Sequence, residues 1–348
     1  MTKPIEYSTD LLNSARAPLF VLSVWRSGSS LLYTLLNQHS QIGLLYEGDL
    51  PRLHRFLRGH FQNGSWRERW EFWNQGPSRH GISLESMPAN VPDAWKATRI
   101  VYEEVARRKK ATIWGEKTPH WYDCPLRMAG QFPDARFIFL WRDLNAVLKS
   151  IAAAARRDRF FRKAGFRERV LLGNQNLRQA CDVLKANGRP VHEVNYEDLV
   201  SKPTETMQEI CQFLNIPFEK HMTSLEGADR SAIALGPHHA LVRGNEIVAR
   251  KTPLQTLSPA VRRKVDRYIF LWKQRYNGTW PKYPLALPEG TRPPSLLELW
   301  RDRIVYQAVL GRDHLVAMIY SVVPVDWARG IRRMLKKRSH QTNTPVAA

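Results

Sequence analysis

The stretch "LFVLSVWRSGSSLLYTLL", residues 19–36, decides the fold. Residues 19–24 read as an apolar strand, Gly28 as a tight turn, and residues 29–38 as a helix opening near Ser29. A strand, a turn and a helix in that order aim backbone N–H groups and a helix N-terminus at one point, which suits a phosphate group. Ser27, Ser29 and Ser30 add hydroxyl donors. The turn is not that of an ordinary nucleoside triphosphate loop, which needs a second Gly followed by Lys and Ser/Thr. Here the cation, Arg26, comes before the glycine. Taken alone, the stretch also reads as a plain turn of small residues.

The rest of the chain repeats the strand-then-helix rhythm. Residues 111–116, 136–141 and 190–196 read as strands, and 144–157 and 203–215 as helices. The expected fold class is therefore α/β, a P-loop-like, mostly parallel sheet flanked by helices. In such sheets ligands sit beyond the carboxyl ends of the strands. The expected organisation is one α/β domain over 15–280, with a helical insertion over 51–110 in which Trp66, Trp70 and Trp73 recur at helical spacing. A Pro-rich linker and a basic, amphipathic helical appendage follow over 281–348, ending in "RRMLKKRSH".

Composition narrows the partners. Lys and Arg total 53 against 32 Asp and Glu, a formal charge of +21, which favours anionic ligands, anionic polymers or an anionic membrane surface. No recognisable DNA- or RNA-binding motif accompanies that charge, so no nucleic-acid partner is expected. Cys124, Cys181 and Cys211 form no C-x-x-C and suit a reducing compartment as small buried hydrophobes. His238 and His239 lack visible partner ligands, and no metal is expected. The first 18 residues resemble neither a signal peptide nor an anchor, and the apolar "LVAMIYSVVPV" (315–325) is broken by Pro324 and shorter than the ~20 residues of a span.

Two further stretches bring cations to strand ends. In "RFIFLWRDLNAVLKS" (136–150) a strand leads into Arg142, Asp143 stands where it would N-cap the next helix, and Ser150 lies about two turns along. An Arg there can grip a phosphate with both arms of its guanidinium. In "WGEKTPHW" (114–121) Lys117 follows the expected strand, with His120 close behind. Arg26, Lys117 and Arg142 would thus converge on a pocket fit for a nucleotide carrying two separated phosphates. A P-loop kinase or NTPase shares the fold class but leaves Arg26 and the missing lysine without a role.

"SVWRSGSSLL" together with "FIFLWRDLNAVLKS" resembles the donor-binding motifs of sulfotransferases that use 3′-phosphoadenosine 5′-phosphosulfate (PAPS), in the carbohydrate and tyrosylprotein branches. Leu144-Asn145 departs from the Pro-Arg that relatives often carry. The resemblance continues through "YEDLVSKPTETMQEICQFLNIPF" (196–218) and on to "HHALVRGNEIVARKTP" (238–253). It implies PAPS as donor without a metal. It also implies that Arg26, Ser27, Gly28, Ser29 and Ser30 hold the 5′-phosphosulfate, with Arg26 facing the sulfuryl oxygens, and that Arg142 and Ser150 hold the 3′-phosphate. Tyr196 is expected beside the adenosine, Arg250 and Lys251 closing over the 3′-phosphate, and Lys117 stabilising charge on the group in transfer. The base that takes the acceptor's proton is Glu47 by one branch's spacing or His120 by another's, with Asp49 a weaker alternative.

The acceptor is less legible. The family branch implies a carbohydrate or lipid-linked glycan hydroxyl, with a phenol, a lipid alcohol or a protein tyrosine as alternatives. Trp121 and Tyr122 could stack on a planar face, and Arg156, Arg159, Lys163 and Arg167 are expected near one helical face that could meet an anionic polymer or lipid. A cytoplasmic location, peripheral to the inner face of the membrane, is the matching expectation.

Overall fold

The computed structural model describes residues 18–48, 50, 77–82, 91, 94–119, 124–156, 158–162, 166–233, 242–248, 295 and scattered helical positions within 297–330. Trp66, Trp70, Trp73, Asp49, His120, Trp121, Tyr122, Lys163, His238, His239, Arg250, Lys251 and the Pro-rich stretch lie outside them.

Among the described residues, five parallel strands form one sheet in the order β2-β3-β1-β4-β5. They are β1 (Leu19–Leu22), β2 (Ile42–Tyr46), β3 (Ile113–Thr118), β4 (Arg136–Trp141) and β5 (Val191–Asn195). The helices between them are α1 (Ser29–Leu36), α2 (Ala94–Arg108), α3 (Pro125–Gln131), α4 (Leu144–Ala154) and α5 (Phe166–Ala186), with α6 (Tyr196–Ser201) and α7 (Pro203–Leu214) after β5. Both faces of the sheet are covered. Leu19 and Val21 of β1 enter one apolar cluster with α1 and α7, whereas Phe20 and Leu22 enter the other with α2, α3, α4 and α5. That alternation is the period-two geometry of a strand, and burial on both faces explains why β1 is apolar throughout.

The connections create the site. After β1 the chain crosses to β2 on one flank, and after β3 it crosses over β1 to β4 on the other. The carboxyl end of β1 is therefore a switch point, where diverging connections leave a crevice.

β1 ends at Leu22 and α1 at Leu36, each two residues short of expectation, and four larger differences have a physical reason. β2, "IGLLY", was not anticipated as a strand; it is paired with β3 from Ile42 to Tyr46 and fully buried. β3 runs two residues later than expected, because Lys110 turns left-handed (φ 58) and β1 pairs with it from Leu19↔Gly115 to Leu22↔Thr118. Gly115 permits this closeness: a Cβ there would stand 1.9 Å from the Leu19 carbonyl oxygen. The helix after β4 stops at Ala154 and a 3-10 turn occupies Arg159–Arg162 before α5, so Arg156, Arg159 and Arg167 do not share one helical face. Phe161 and Phe166 turn inward there, and their burial breaks the helix that the charges alone suggested. Finally, Ala94–Arg108, read as part of an insertion, is the crossover helix α2 packed against β2 and β3.

Candidate active site

The expected turn forms as read. Gly28 takes φ 97 and N-caps α1, which begins at Ser29. A Cβ on Gly28 would fall 2.2 Å from Cδ2 of Tyr196, so conformation and space both demand glycine. The first regular helical bond runs from the Leu32 N–H to the Gly28 carbonyl, 3.1 Å, so the N–H groups of Ser29 and Ser30 precede the ladder at the N-terminal end. Ser27 differs from its expected role as a hydroxyl donor. Its side chain is buried and donates to the Val24 carbonyl at 2.7 Å, holding the turn shut.

A cavity of about 390 Å³ opens beside this turn. Of the expected residues, Arg26, Gly28, Ser29, Ser30, Glu47, Arg142 and Tyr196 line it. Its apolar side comes from Trp25, Phe160, Phe161, Leu225, Val242 and Val248, and Arg79 adds an exposed cation.

The two arginines form one connected wall. Arg142 donates from Nη1 to the Arg26 carbonyl at 2.9 Å, and its guanidinium lies 4.1 Å from the centre of the Tyr196 ring. Tyr196 is thus an Arg platform as well as a lid on Gly28, and it opens α6 instead of ending β5. The Arg142 Nε is buried with no hydrogen-bond partner, a donor held ready for an anion. Asp143 N-caps α4 as expected, accepting from the Ala146 N–H at 2.7 Å.

Arg26, expected to face the sulfuryl oxygens, lines the cavity beside the turn. It sits in the left-handed region, φ 69, and its Nε donates to Ser150 Oγ at 3.0 Å. Its guanidinium also lies 5.7 Å from the Phe161 ring centre. Burial, and then the neighbouring charge of Arg142, lower its pKa to about 10, which leaves it cationic at neutral pH. The Nε bond joins Arg26 to Ser150, and the carbonyl of Arg26 joins it to Arg142.

The opposite wall carries the carboxylate. Lys117 lies within β3, not after it, and is fully buried. Its Nζ donates to Glu47 Oε1 at 2.7 Å and stands 4.3 Å above the Tyr46 ring. Burial pushes the Lys117 ammonium below its ordinary pKa, while Glu47 opposes that shift. Glu47 lies just past β2 at φ 46, and its N–H donates to the Lys117 carbonyl at 2.8 Å, adding one rung beyond the strand pairing. Sequence reasoning missed Tyr46, Arg79, Phe160 and Phe161; the apolar run ending in Tyr46, just before Glu47, was the available signal for the first of these.

Residues 18–220 match the sulfotransferase family. Protein-tyrosine sulfotransferase A of Caenorhabditis elegans is 24% identical over 229 residues, which is 64% of this chain and 57% of that protein, so the match spans little more than half the relative's length. Among solved structures, the sulfotransferase domain from the curacin biosynthetic pathway is 18% identical, with a TM-score of 0.47 over 84% of this chain and 97% of that one. A mouse sulfotransferase, SULT7A1, complexed with PAP is 12% identical, with a TM-score of 0.40 over 87% and 94%. The family match runs from the start of β1 past α7 and so takes in the turn, both arginines, Glu47, Lys117 and Tyr196: this chain belongs to the sulfotransferase family.

Proposed function

We propose that this chain transfers a sulfuryl group from PAPS to an acceptor hydroxyl, that of a carbohydrate or lipid-linked glycan. One observation carries the reading: Arg26 and Arg142, from two strand ends, are hydrogen-bonded into a single cationic wall beside the α1 N-terminus, on the same cavity as Glu47. The residues fit the donor. The buried, unpartnered Arg142 Nε and Ser150 with Arg26 suit a 3′-phosphate, and the Ser29 and Ser30 N–H groups with the Ser30 hydroxyl suit the 5′ end.

The donor supplies the sulfuryl group; the chain supplies position, charge and a base. Glu47 takes the acceptor's proton as its oxygen bonds to sulfur. Lys117 holds that carboxylate at 2.7 Å and provides a preorganised cation beside the reacting atoms. The apolar wall of Trp25, Phe160 and Phe161 supports an acceptor with a sugar face or a lipid chain to lay against it. Tyrosine peptides remain the alternative suggested by the name of the C. elegans relative.

The same proposal assigns the chain to the cytosol, where PAPS is made, in contact with an anionic membrane surface. Helical residues Leu297, Trp300, Ile304, Leu315, Met318 and Val322 are exposed, and a basic run follows at 332–338. Among the described residues no helix is long and apolar enough to cross a membrane. Co-sedimentation with phosphatidylglycerol vesicles but not phosphatidylcholine vesicles is the expected result.

The test of the reaction is direct. Adenosine 3′,5′-bisphosphate raises the melting temperature without magnesium, and labelled PAPS delivers label to a member of a pool of glycans, lipids, phenols and tyrosine peptides. Stabilisation by ATP with magnesium and no response to the bisphosphate overturns the reading in favour of a kinase or NTPase.

A further inference from the structure

Tyr46 ends β2 directly before Glu47 and is fully buried, yet the cavity touches it. Three of its contacts reach different parts of the site. Its hydroxyl lies 2.8 Å from Ser30 Oγ in the phosphate turn. The same phenol lies close enough to the Glu47 carboxylate for the two to interact electrostatically. Its ring lies 4.3 Å beneath the Lys117 ammonium. The ring is itself clamped: Tyr33 packs edge-on at 4.8 Å, and the Tyr46 N–H donates to His80 Nε2 at 3.0 Å.

A phenol spent on packing alone needs only one partner for its hydroxyl once buried. Here the hydroxyl stands between the turn expected to hold the donor and the carboxylate expected to deprotonate the acceptor, while the ring face supports the cation paired with that carboxylate. Resting on the sulfotransferase reading, we propose that Tyr46 is a positioning residue that ties the donor turn at Ser30 to the Glu47–Lys117 pair and holds the base in register with bound donor.

The hydroxyl and the ring are separable. Tyr46→Phe keeps the ring beneath Lys117 and removes the hydroxyl that bonds Ser30 and faces Glu47. The charged groups around the pair are Lys117 and Glu116 of β3, Arg79 of a separate 3-10 turn at Pro77–His80 and Arg26 of the phosphate turn, and the substitution leaves all of them in place. Loss of a donor to a carboxylate favours its protonated form, so the acid limb of the rate profile moves to higher pH. Tyr46→Leu removes the ring as well and reports on packing.

The experiment measures bisphosphate affinity, kcat and the pH dependence of kcat for the wild type and both variants. Tyr46→Phe is expected to bind adenosine 3′,5′-bisphosphate within about threefold of wild type, to lose about tenfold in kcat, and to shift its acid limb upward by about one pH unit. A purely structural tyrosine gives the opposite pattern, with Phe matching wild type in kcat and acid limb and only Leu impaired; that result overturns the inference while leaving the donor reading intact. A wild-type chain that does not bind the bisphosphate overturns the donor reading, and this inference falls with it.

Discussion

Arg26 Nε donates to Ser150 Oγ at 3.0 Å, a bond that joins the turn after β1 to the middle of α4 across 124 residues of chain. With the bond from Arg142 to the Arg26 carbonyl, it makes the two motifs one anion-binding unit. Ser150→Ala is therefore expected to weaken adenosine 3′,5′-bisphosphate about tenfold, and Arg142→Ala about a hundredfold or more, since a bidentate charge-assisted contact is the stronger. Isothermal titration of both variants checks the ranking, and an Arg142→Ala protein with wild-type affinity would sink the assignment.

Glu47 is buried enough against Lys117 that its removal has two effects. Glu47→Ala leaves a fully buried ammonium without its carboxylate, and loss of one partner of a buried pair costs about 3 to 5 kcal/mol. Glu47→Gln keeps an acceptor for Lys117 and isolates the chemistry. The expected outcome is unchanged bisphosphate affinity with transfer below about 1% of wild type, the scale of a lost general base. His120→Ala is expected to keep most of its activity. The reverse pattern, an active Glu47→Gln and a dead His120→Ala, reassigns the base.

At Gly28 two independent obstacles stand against any side chain. Gly28→Ala must place a Cβ at φ 97 and 2.2 Å from Tyr196. The conformational strain alone costs about 1 to 3 kcal/mol, and displacing Tyr196 removes the platform beneath Arg142. Differential scanning fluorimetry should show a lower melting temperature, together with a loss of bisphosphate-induced stabilisation.

The acid stability of the chain should report His80. Its Nε2 accepts the Tyr46 N–H, and burial, followed by the nearby charge of Arg79, lowers its pKa to about 4. Because the unfolded imidazole binds a proton near pH 6.5 and the folded one does not, this contribution is complete above that value and is lost as pH falls through about 4. Urea melts between pH 7 and 4 should show a steeper decline for wild type than for His80→Gln, whose amide oxygen can accept the same bond at any pH in that range.

Much of this fold was legible because its signals are local. An apolar strand, a glycine and a helix start are neighbours in sequence, and Gly28, the starts of β1 and α1, β4 and the Asp143 cap all lie where the residues put them. The strand at 42–46 was not, because a buried parallel strand is only an apolar run, and five residues of one resemble the tail of the preceding helix. Register was equally hidden: whether Lys117 follows β3 or lies inside it depends on which residues β1 and β2 present to it.

Sequence by itself determined that Arg26, Glu47, Lys117, Arg142 and Tyr196 are present, and that three of them stand at or near strand ends. Their chemical types and local spacing sufficed for that. Tertiary structure decided which of them act together. The strand order sets β1 between β3 and β4, and so turns Arg26 toward Ser150 and Arg142. It also stacks Lys117 over Tyr46 and against Glu47. Hydrogen bonds and buried ion pairs act over about 3 Å, and chain separation carries no information about distances on that scale once the sheet has closed.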